Sequence, residues 1–156
     1  MPGRVEWVLL HYRMPREPST PRIAVWRRLR QLGVAQLGDG LVALPADAST
    51  REQLEWVGVQ AREAGGSAMV WVARAVSAGE ERAVVDQMTA AVAAEYRAVV
   101  DAARAASDAA DGPRRRVVGR LRREVARIAR RDYFSVPERE VARRTVAALG
   151  GVRERV

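Results

Sequence analysis

The chain contains no cysteine, no lysine and no asparagine, and only one histidine among its 156 residues. Without cysteine it can form neither disulfide bonds nor thiolate metal sites, and it has no cysteine nucleophile. His11 alone cannot assemble the histidine clusters that hold zinc, and a Ser-His-Asp triad would have to use that one residue. These absences exclude several common classes of enzyme and metal-binding protein.

Long hydrophobic runs are also missing. No stretch of 18 apolar residues occurs, so the sequence predicts no transmembrane helix. The first residues, MPGRVEWVLLHYR, hold too short an apolar segment for a secretory signal, and no small-residue cleavage site follows. The chain is therefore expected to be cytoplasmic. Its length and its 48% hydrophobic content predict one domain, alone or with an appendage.

The positive charge comes entirely from arginine and is unevenly distributed. The 27 arginines give a net charge of +8, and GC-rich coding accounts for arginine in place of lysine. Residues 1–76 have 10 arginines and 7 acids, residues 77–111 have 3 and 7, and residues 112–156 have 14 and 5. Codon bias does not explain the excess in the last third, so this distribution indicates function better than the total does.

The first 76 residues alternate strand-like and helix-like segments. A nearly continuous apolar run over residues 5–12 is typical of a central strand buried on both faces. A helix follows, with Ser19 or Thr20 as its N-cap and Gly33 at its end. Next come two short strands around Gly38-Asp39-Gly40, a second helix with a Ser49–Glu52 capping box, and a strand from residue 67. This βαββαβ order predicts a ferredoxin-like α+β fold with a four-stranded antiparallel sheet.

Residues 77–156 are predicted to form a helical extension. Alanine dominates residues 79–110, Asp111-Gly112-Pro113 breaks the pattern, and residues 114–131 resume it. The two helices should pair as an antiparallel hairpin, and a short final helix should begin at Pro137. We expect the extension to pack on residues 1–76 as one structural unit and to cover the open face of the sheet.

Catalytic motifs are not apparent. The sequence has no GxGxxG, Walker A, HExxH or nucleophile-elbow pattern. Metal-dependent nucleases of ferredoxin-like fold place an aspartate near the end of the first strand, where LLHYRMP has no acid. His11 is interpreted as a packed or hydrogen-bonded residue and Asp39 as a turn former. We therefore expect no enzyme activity, no cofactor and no metal site.

An arginine stripe is the main candidate for function. At 100° per residue, five arginines of the segment RRRVVGRLRREVARIARR fall within 80° of one another, on a face away from its apolar residues. The stripe consists of Arg116, Arg120, Arg123, Arg127 and Arg130 and runs about 21 Å. It is a candidate site for nucleic acid, because a phosphate backbone would relieve the repulsion between its charges. The alternative is an exposed face neutralised by the acidic helix before it.

A second arginine group surrounds the loop MPREPSTP. It comprises Arg13, Arg16, Arg22, Arg27, Arg28 and Arg30. Arg22 lies in the first turn of a helix, where free N–H groups favour an anion. Arg13, Arg16 and Arg22 are therefore candidate ligands of a small oxyanion, and solvated surface arginine is the alternative.

The order of these motifs resembles ChrB, the chromate-resistance regulatory protein family of bacteria. The similar segments are PREPS at Pro15–Ser19, VWRRLRQLG at Val25–Gly33, Asp39-Gly40, Leu44-Pro45, and RREVARIARRDYFSVPERE with Tyr133 and Phe134 in its aromatic places. The resemblance implies a transcriptional regulator of a chromate-efflux operon. It also implies that this chain is the N-terminal module of a protein that commonly has a second domain.

The sequence therefore predicts a ChrB-like regulatory module that binds DNA through the arginine stripe. Two alternatives stay open. One is a non-catalytic module for protein interaction or homodimer formation through the sheet edge or the helical hairpin. The other is an oxyanion-binding protein, with chromate as the ligand that the resemblance implies.

Overall fold

The computed structural model describes residues 4–151, which divide into two compact units after Met88. The first unit contains β1 (Trp7–Arg13), α1 (Ser19–Leu32), β2 (Ala35–Gly38), β3 (Leu41–Pro45), α2 (Ala48–Glu63) and β4 (Ser67–Ala73). Helix α3 (Ala78–Ala105) passes into the second unit, which also contains α4 (Asp111–Ala129) and α5 (Glu138–Gly151). The outer ends of the predicted domains, residues 1–3 and 152–156, lie outside the described residues.

The sheet of the first unit has the strand order β2-β3-β1-β4, and all its neighbouring strands are antiparallel. β1 is central, with Leu10 paired to Val42 of β3 on one side and to Val70 of β4 on the other. Together with α1 and α2, this order confirms the ferredoxin-like α+β fold that the sequence predicts.

One face of the sheet packs against α2. Val8 and Leu10 of β1 have no exposed surface. A Cβ placed on Gly58 of α2 would lie 3.4 Å from the Cβ of Ala68, so helix and sheet approach closely there. Only the first half of β1 is buried on both faces, because His11 and Arg13 are exposed at its end.

The other face of the sheet is covered only in part among the described residues. In the first turns of α3, Glu81 accepts a hydrogen bond from the backbone N–H of Val5. Gln87 donates to the backbone oxygen of Gln36 at 3.5 Å. Met69 and Trp71 of β4, which share this face by register with β1, are each 54% exposed. The first turns of α3 therefore leave these two side chains of β4 exposed.

The second unit is built on one apolar core shared by three helices. Tyr96 and Val99 come from α3, Leu121 and Ile128 from α4, and Val146 from α5, and all five side chains are buried. The helical spacing of apolar residues in α3 and α4 predicts this core, except that Val118 is buried more deeply than Val117. No helix among residues 4–151 has both the length and the apolar composition needed to cross a bilayer.

Two predicted N-caps are wrong. Helix α1 begins at Ser19 and its N-cap is Pro18, which makes no side-chain cap hydrogen bond. In α2 the capping box lies two residues earlier than predicted. Asp47 accepts from the backbone N–H of Thr50 at 2.7 Å, and the Thr50 hydroxyl accepts from the Asp47 N–H at 3.0 Å. An Asp carboxylate and a Ser hydroxyl accept equally well from the free N–H groups at a helix start, so Asp47 can serve as the N-cap in place of Ser49.

The predicted break between the long helices is also misplaced. The turn lies at residues 106–110, and α4 already begins at Asp111. Pro113 therefore stands in the first turn of the helix. A proline is tolerated there because the first N–H groups of a helix have no partner within the helix.

Candidate functional site

The arginine stripe lies along α4 as the helical period predicts. Arg116, Arg120, Arg123 and Arg127 are exposed, and Arg130 is exposed at the C-cap of the helix. The opposite side of α4 carries the buried residues of the three-helix core. The amphipathic pattern thus holds all five guanidinium groups toward solvent.

Neighbouring carboxylates do not neutralise most of the stripe. Arg127 pairs with Glu124 at 2.9 Å. Within residues 4–151, the other four stripe arginines form no ion pair, and Glu95 of α3 pairs instead with Arg131, outside the stripe. None of the ion pairs of residues 4–151 joins α3 to the stripe.

The helix dipole accounts for only one end of the stripe. Arg127 and Arg130 lie at the C-terminal end of α4, where partial negative charge on free carbonyls stabilises cations. Arg116 and Arg120 lie in the N-terminal half and gain nothing from that effect. These two arginines add repulsion without compensation from the helix itself.

A second candidate site is an open groove in the first unit with a volume of about 1220 Å³. It lies where the end of β1, the following loop, the start of α1 and the β2–β3 turn meet. In α1, Val25, Leu29 and Leu32 face the core. The exposed pairs Arg22–Trp26 and Ile23–Arg27, each four residues apart, line the groove.

The groove brings together the three arginines that the sequence names as oxyanion ligands. Arg13, Arg16 and Arg22 all line it, and Arg27 joins them. All four are exposed, and none of them forms an ion pair with another residue of the described chain. Asp39, in the turn between β2 and β3, is the one acid among the lining residues. The groove is therefore a region of net positive charge.

Close packing of the β2–β3 turn fixes one wall of the groove. The backbone N–H of Tyr12 donates to the Gly40 oxygen at 2.8 Å. Gly40 has φ +67°, and a Cβ there would overlap the carbonyl oxygen of Tyr12. Burial raises the pKa of the Tyr12 hydroxyl above its ordinary value, so this group stays protonated and can donate a hydrogen bond.

Sequence reasoning missed the aromatic part of the groove. Trp26 lines it with 53% of its surface exposed, and Tyr12 and His11 also contribute. The spacing of Arg22 and Trp26 was the available signal, since residues four apart share a helix face. Arg28 and Arg30 of the same arginine group do not line the groove. Residues 4–151 hold no cluster of His, Asp or Glu suited to a metal ion.

Comparison with known proteins identifies the family of the chain. A family model described as "Protein ChrB, N-terminal" matches residues 22–109, which are more than half of the 156 residues. The chain belongs to the ChrB N-terminal family. One relative, Protein ChrB of Cupriavidus metallidurans, is 30% identical over 134 residues, covering 82% of this chain and 40% of that protein. No solved structure matches the chain.

The ChrB family match does not extend over both candidate sites. It includes α1 from Arg22 onward, with Trp26 and Arg27, and it ends before α4 begins at Asp111. The family model therefore carries no information on the arginine stripe. The chain spans about 40% of the length of the relative, so similarity alone does not assign the activity of a whole ChrB protein to this chain.

Proposed function

We propose that this chain is a cytoplasmic regulatory module of chromate resistance that binds DNA through the arginine stripe of α4. The observation that supports the proposal is the exposure of all five stripe arginines, four of which form no ion pair within residues 4–151. A row of free guanidinium groups along about 21 Å of helix suits the phosphates of a duplex. Contacts of this kind position a protein on DNA and carry no sequence information by themselves.

The first test reverses the charge of Arg120, Arg123 and Arg127 to Glu. These side chains are exposed, so the fold should survive, as circular dichroism would check. Binding to a duplex of the region upstream of its gene, measured by electrophoretic mobility shift, should be lost. The matched control reverses Arg28, Arg51 and Arg74, which are exposed and lie in the first unit. Both variants lower the net charge from +8 to +2 and both break exposed ion pairs, Arg127–Glu124 in one and Arg51–Glu55 and Arg74–Glu6 in the other.

The salt dependence of the same isotherms separates phosphate contacts from other effects. Each lost phosphate contact should lower the slope of log affinity against log salt by about 1. The stripe variant should therefore lose about 3 in slope, whereas the control should keep the parent slope. Equal affinities and equal slopes for the two variants would disprove the DNA-contact assignment.

A second candidate function is oxyanion binding in the groove. The convergence of Arg13, Arg16 and Arg22 with Arg27 favours it, because four guanidinium groups around one cavity attract a small dianion. Chromate and sulfate are both tetrahedral dianions, and chromate is the ligand that family membership suggests. A groove that binds chromate would make this module a sensor as well as a DNA-binding element.

Isothermal titration calorimetry tests this candidate with chromate, sulfate and phosphate. Binding of chromate that is weakened at least about tenfold by Arg22→Gln is expected if the arginines hold the ion, since a charge-assisted hydrogen bond contributes about 1.5–3 kcal/mol. Arg28→Gln, in the same helix but outside the groove, is the control. Absence of heat at millimolar chromate would reject the candidate.

A further inference from the structure

The groove of the first unit is larger than a tetrahedral oxyanion requires. Its volume is about 1220 Å³, whereas sites for drug-sized ligands run from about 300 to 1,000 Å³. A single small anion at the arginines would leave most of this space to solvent. The dimensions therefore suit a ligand with an anionic part and a further organic part.

The aromatic side chains of the groove indicate what the organic part is. The guanidinium carbon of Arg30 lies 4.8 Å from the centre of the Trp26 ring, and Arg30 is outside the groove lining. Arg30 thus occupies one face of the indole by a cation–π contact. Trp26 also lines the groove and is 53% exposed, so part of its indole is open to a flat partner.

Polar groups around the aromatic side chains can recognise the edge of a flat heterocycle. Gln36 and Ser67 line the same groove as Trp26, and Asp39 adds a carboxylate acceptor. The Gln36 amide nitrogen already donates to the Gly38 oxygen at 2.6 Å, which fixes its orientation and leaves the amide oxygen as an acceptor. Donors and acceptors next to a stacking surface are what base recognition needs.

We propose that the groove binds a nucleotide, with the phosphate at the arginines Arg13, Arg16, Arg22 and Arg27 and the base stacked on Trp26. This inference rests on the anion-binding capacity of the arginines and adds the aromatic subsite to it. The ligand chemistry is a phosphate joined through a sugar to a planar base. Either a free nucleotide or one residue of a single-stranded nucleic acid supplies it.

Calorimetry with AMP, adenosine and inorganic phosphate tests the two-part site. AMP should bind more tightly than either fragment, because it alone reaches both subsites. Trp26→Ala should weaken AMP roughly 5- to 150-fold, the range for loss of one base–aromatic stack, and leave inorganic phosphate unchanged. Arg22→Gln should weaken both ligands.

Two control variants exclude general effects of these substitutions. Trp56 of α2 is 62% exposed and lies outside the groove, so Trp56→Ala should leave AMP binding unchanged. Arg28→Gln is the corresponding control for Arg22→Gln and should also leave AMP binding unchanged. A loss of AMP affinity in Trp56→Ala equal to that in Trp26→Ala would overturn the assignment of the base to Trp26.

A single-stranded hexadeoxyadenylate separates the two sources of the nucleotide. It should be titrated against the variant with Arg120, Arg123 and Arg127 reversed, so that the stripe does not contribute. Trp26-dependent binding tighter than that of AMP would identify a nucleic-acid strand as the ligand. Trp26-dependent binding of AMP that equals or exceeds that of the hexamer would identify the free nucleotide.

The outcomes also separate this inference from the proposed functions. If chromate and phosphate bind but AMP is no tighter than phosphate, the nucleotide inference fails and the oxyanion candidate stands. If none of the three binds, both fail. Duplex binding through the stripe is measured independently of the groove and is unaffected by either result.

Discussion

Two glycines hold the end of β1 so closely that a side chain at either position would overlap its backbone. A Cβ on Gly40 would meet the carbonyl oxygen of Tyr12, and a Cβ on Gly66 would meet that of Arg13. The two glycines approach consecutive residues of the strand from the β2–β3 turn and from the start of β4. The backbone of the groove wall is thereby fixed from both sides.

Gly40→Ala should destabilise the chain more than a glycine substitution in a turn usually does. At φ +67° a residue other than glycine costs about 1–3 kcal/mol, and the overlap with Tyr12 adds to that cost. The midpoint of urea denaturation should fall accordingly. Gly38→Ala, at the end of β2 just before the turn, is the control, because nothing lies within 4 Å of its Cβ and its φ is not positive. Equal midpoints for the two variants would contradict the close approach of Gly40 to the backbone of Tyr12.

At the scale of elements, the loop between α4 and α5 is anchored to the long helix α3. Asp132, which is buried, accepts a hydrogen bond from the Val136 N–H at 3.2 Å, and its carboxylate lies 3.5 Å from the Tyr96 hydroxyl. Arg131 of the same loop pairs with Glu95, one residue before Tyr96. Polar contacts at the edge of an apolar core thus hold the loop between α4 and α5 to α3.

Tyr96 should make the stability of the second unit depend on alkaline pH. Burial, followed by the charge of Asp132, raises the pKa of Tyr96 above its ordinary value of 10.0. The folded state then binds the phenolic proton more tightly than the unfolded state. Stability is full below pH 10.0 and decreases as the pH rises above it. The free energy of unfolding, measured by denaturant titration from pH 8 to 11.5, should therefore decrease at the alkaline end.

Tyr96→Phe should remove much of this pH dependence. A smaller dependence should remain, because burial also raises the pKa of Tyr12 in the first unit. The double variant with Tyr12→Phe should depend on pH less than either single variant. If the free energies of unfolding of Tyr96→Phe and of the parent differ by the same amount at every pH, the pKa of Tyr96 does not change on unfolding.

The sequence predicts elements better than their ends. Within residues 4–151, the four strands and five helices follow from hydrophobic spacing, which burial enforces over many residues. Helix starts depend on a single local competition, and at α2 the Asp47 carboxylate takes the place predicted for Ser49. The turn before α4 was misplaced because Pro113 is as compatible with a first helical turn as with a break.

At the scale of the whole molecule, the two candidate sites differ in how far sequence can reveal them. The stripe lies within one helix, so the helical period alone places its five arginines on one exposed face. The groove joins β1, α1, the β2–β3 turn and the start of β4, which only the folded sheet brings together. Its arginines are recognisable from composition, but the position of Trp26 beside them follows from the fold.

The exposure of the tryptophans determines how the fluorescence of the folded chain differs from that of the unfolded chain. Trp7 is 4% exposed, whereas Trp26, Trp56 and Trp71 are each more than half exposed. Indole emission shifts to longer wavelength in contact with water, so three of the four fluorophores emit in the folded state much as they do when unfolded. The spectrum will consequently change little on denaturation. A ligand that covers Trp26 would change it without any loss of structure.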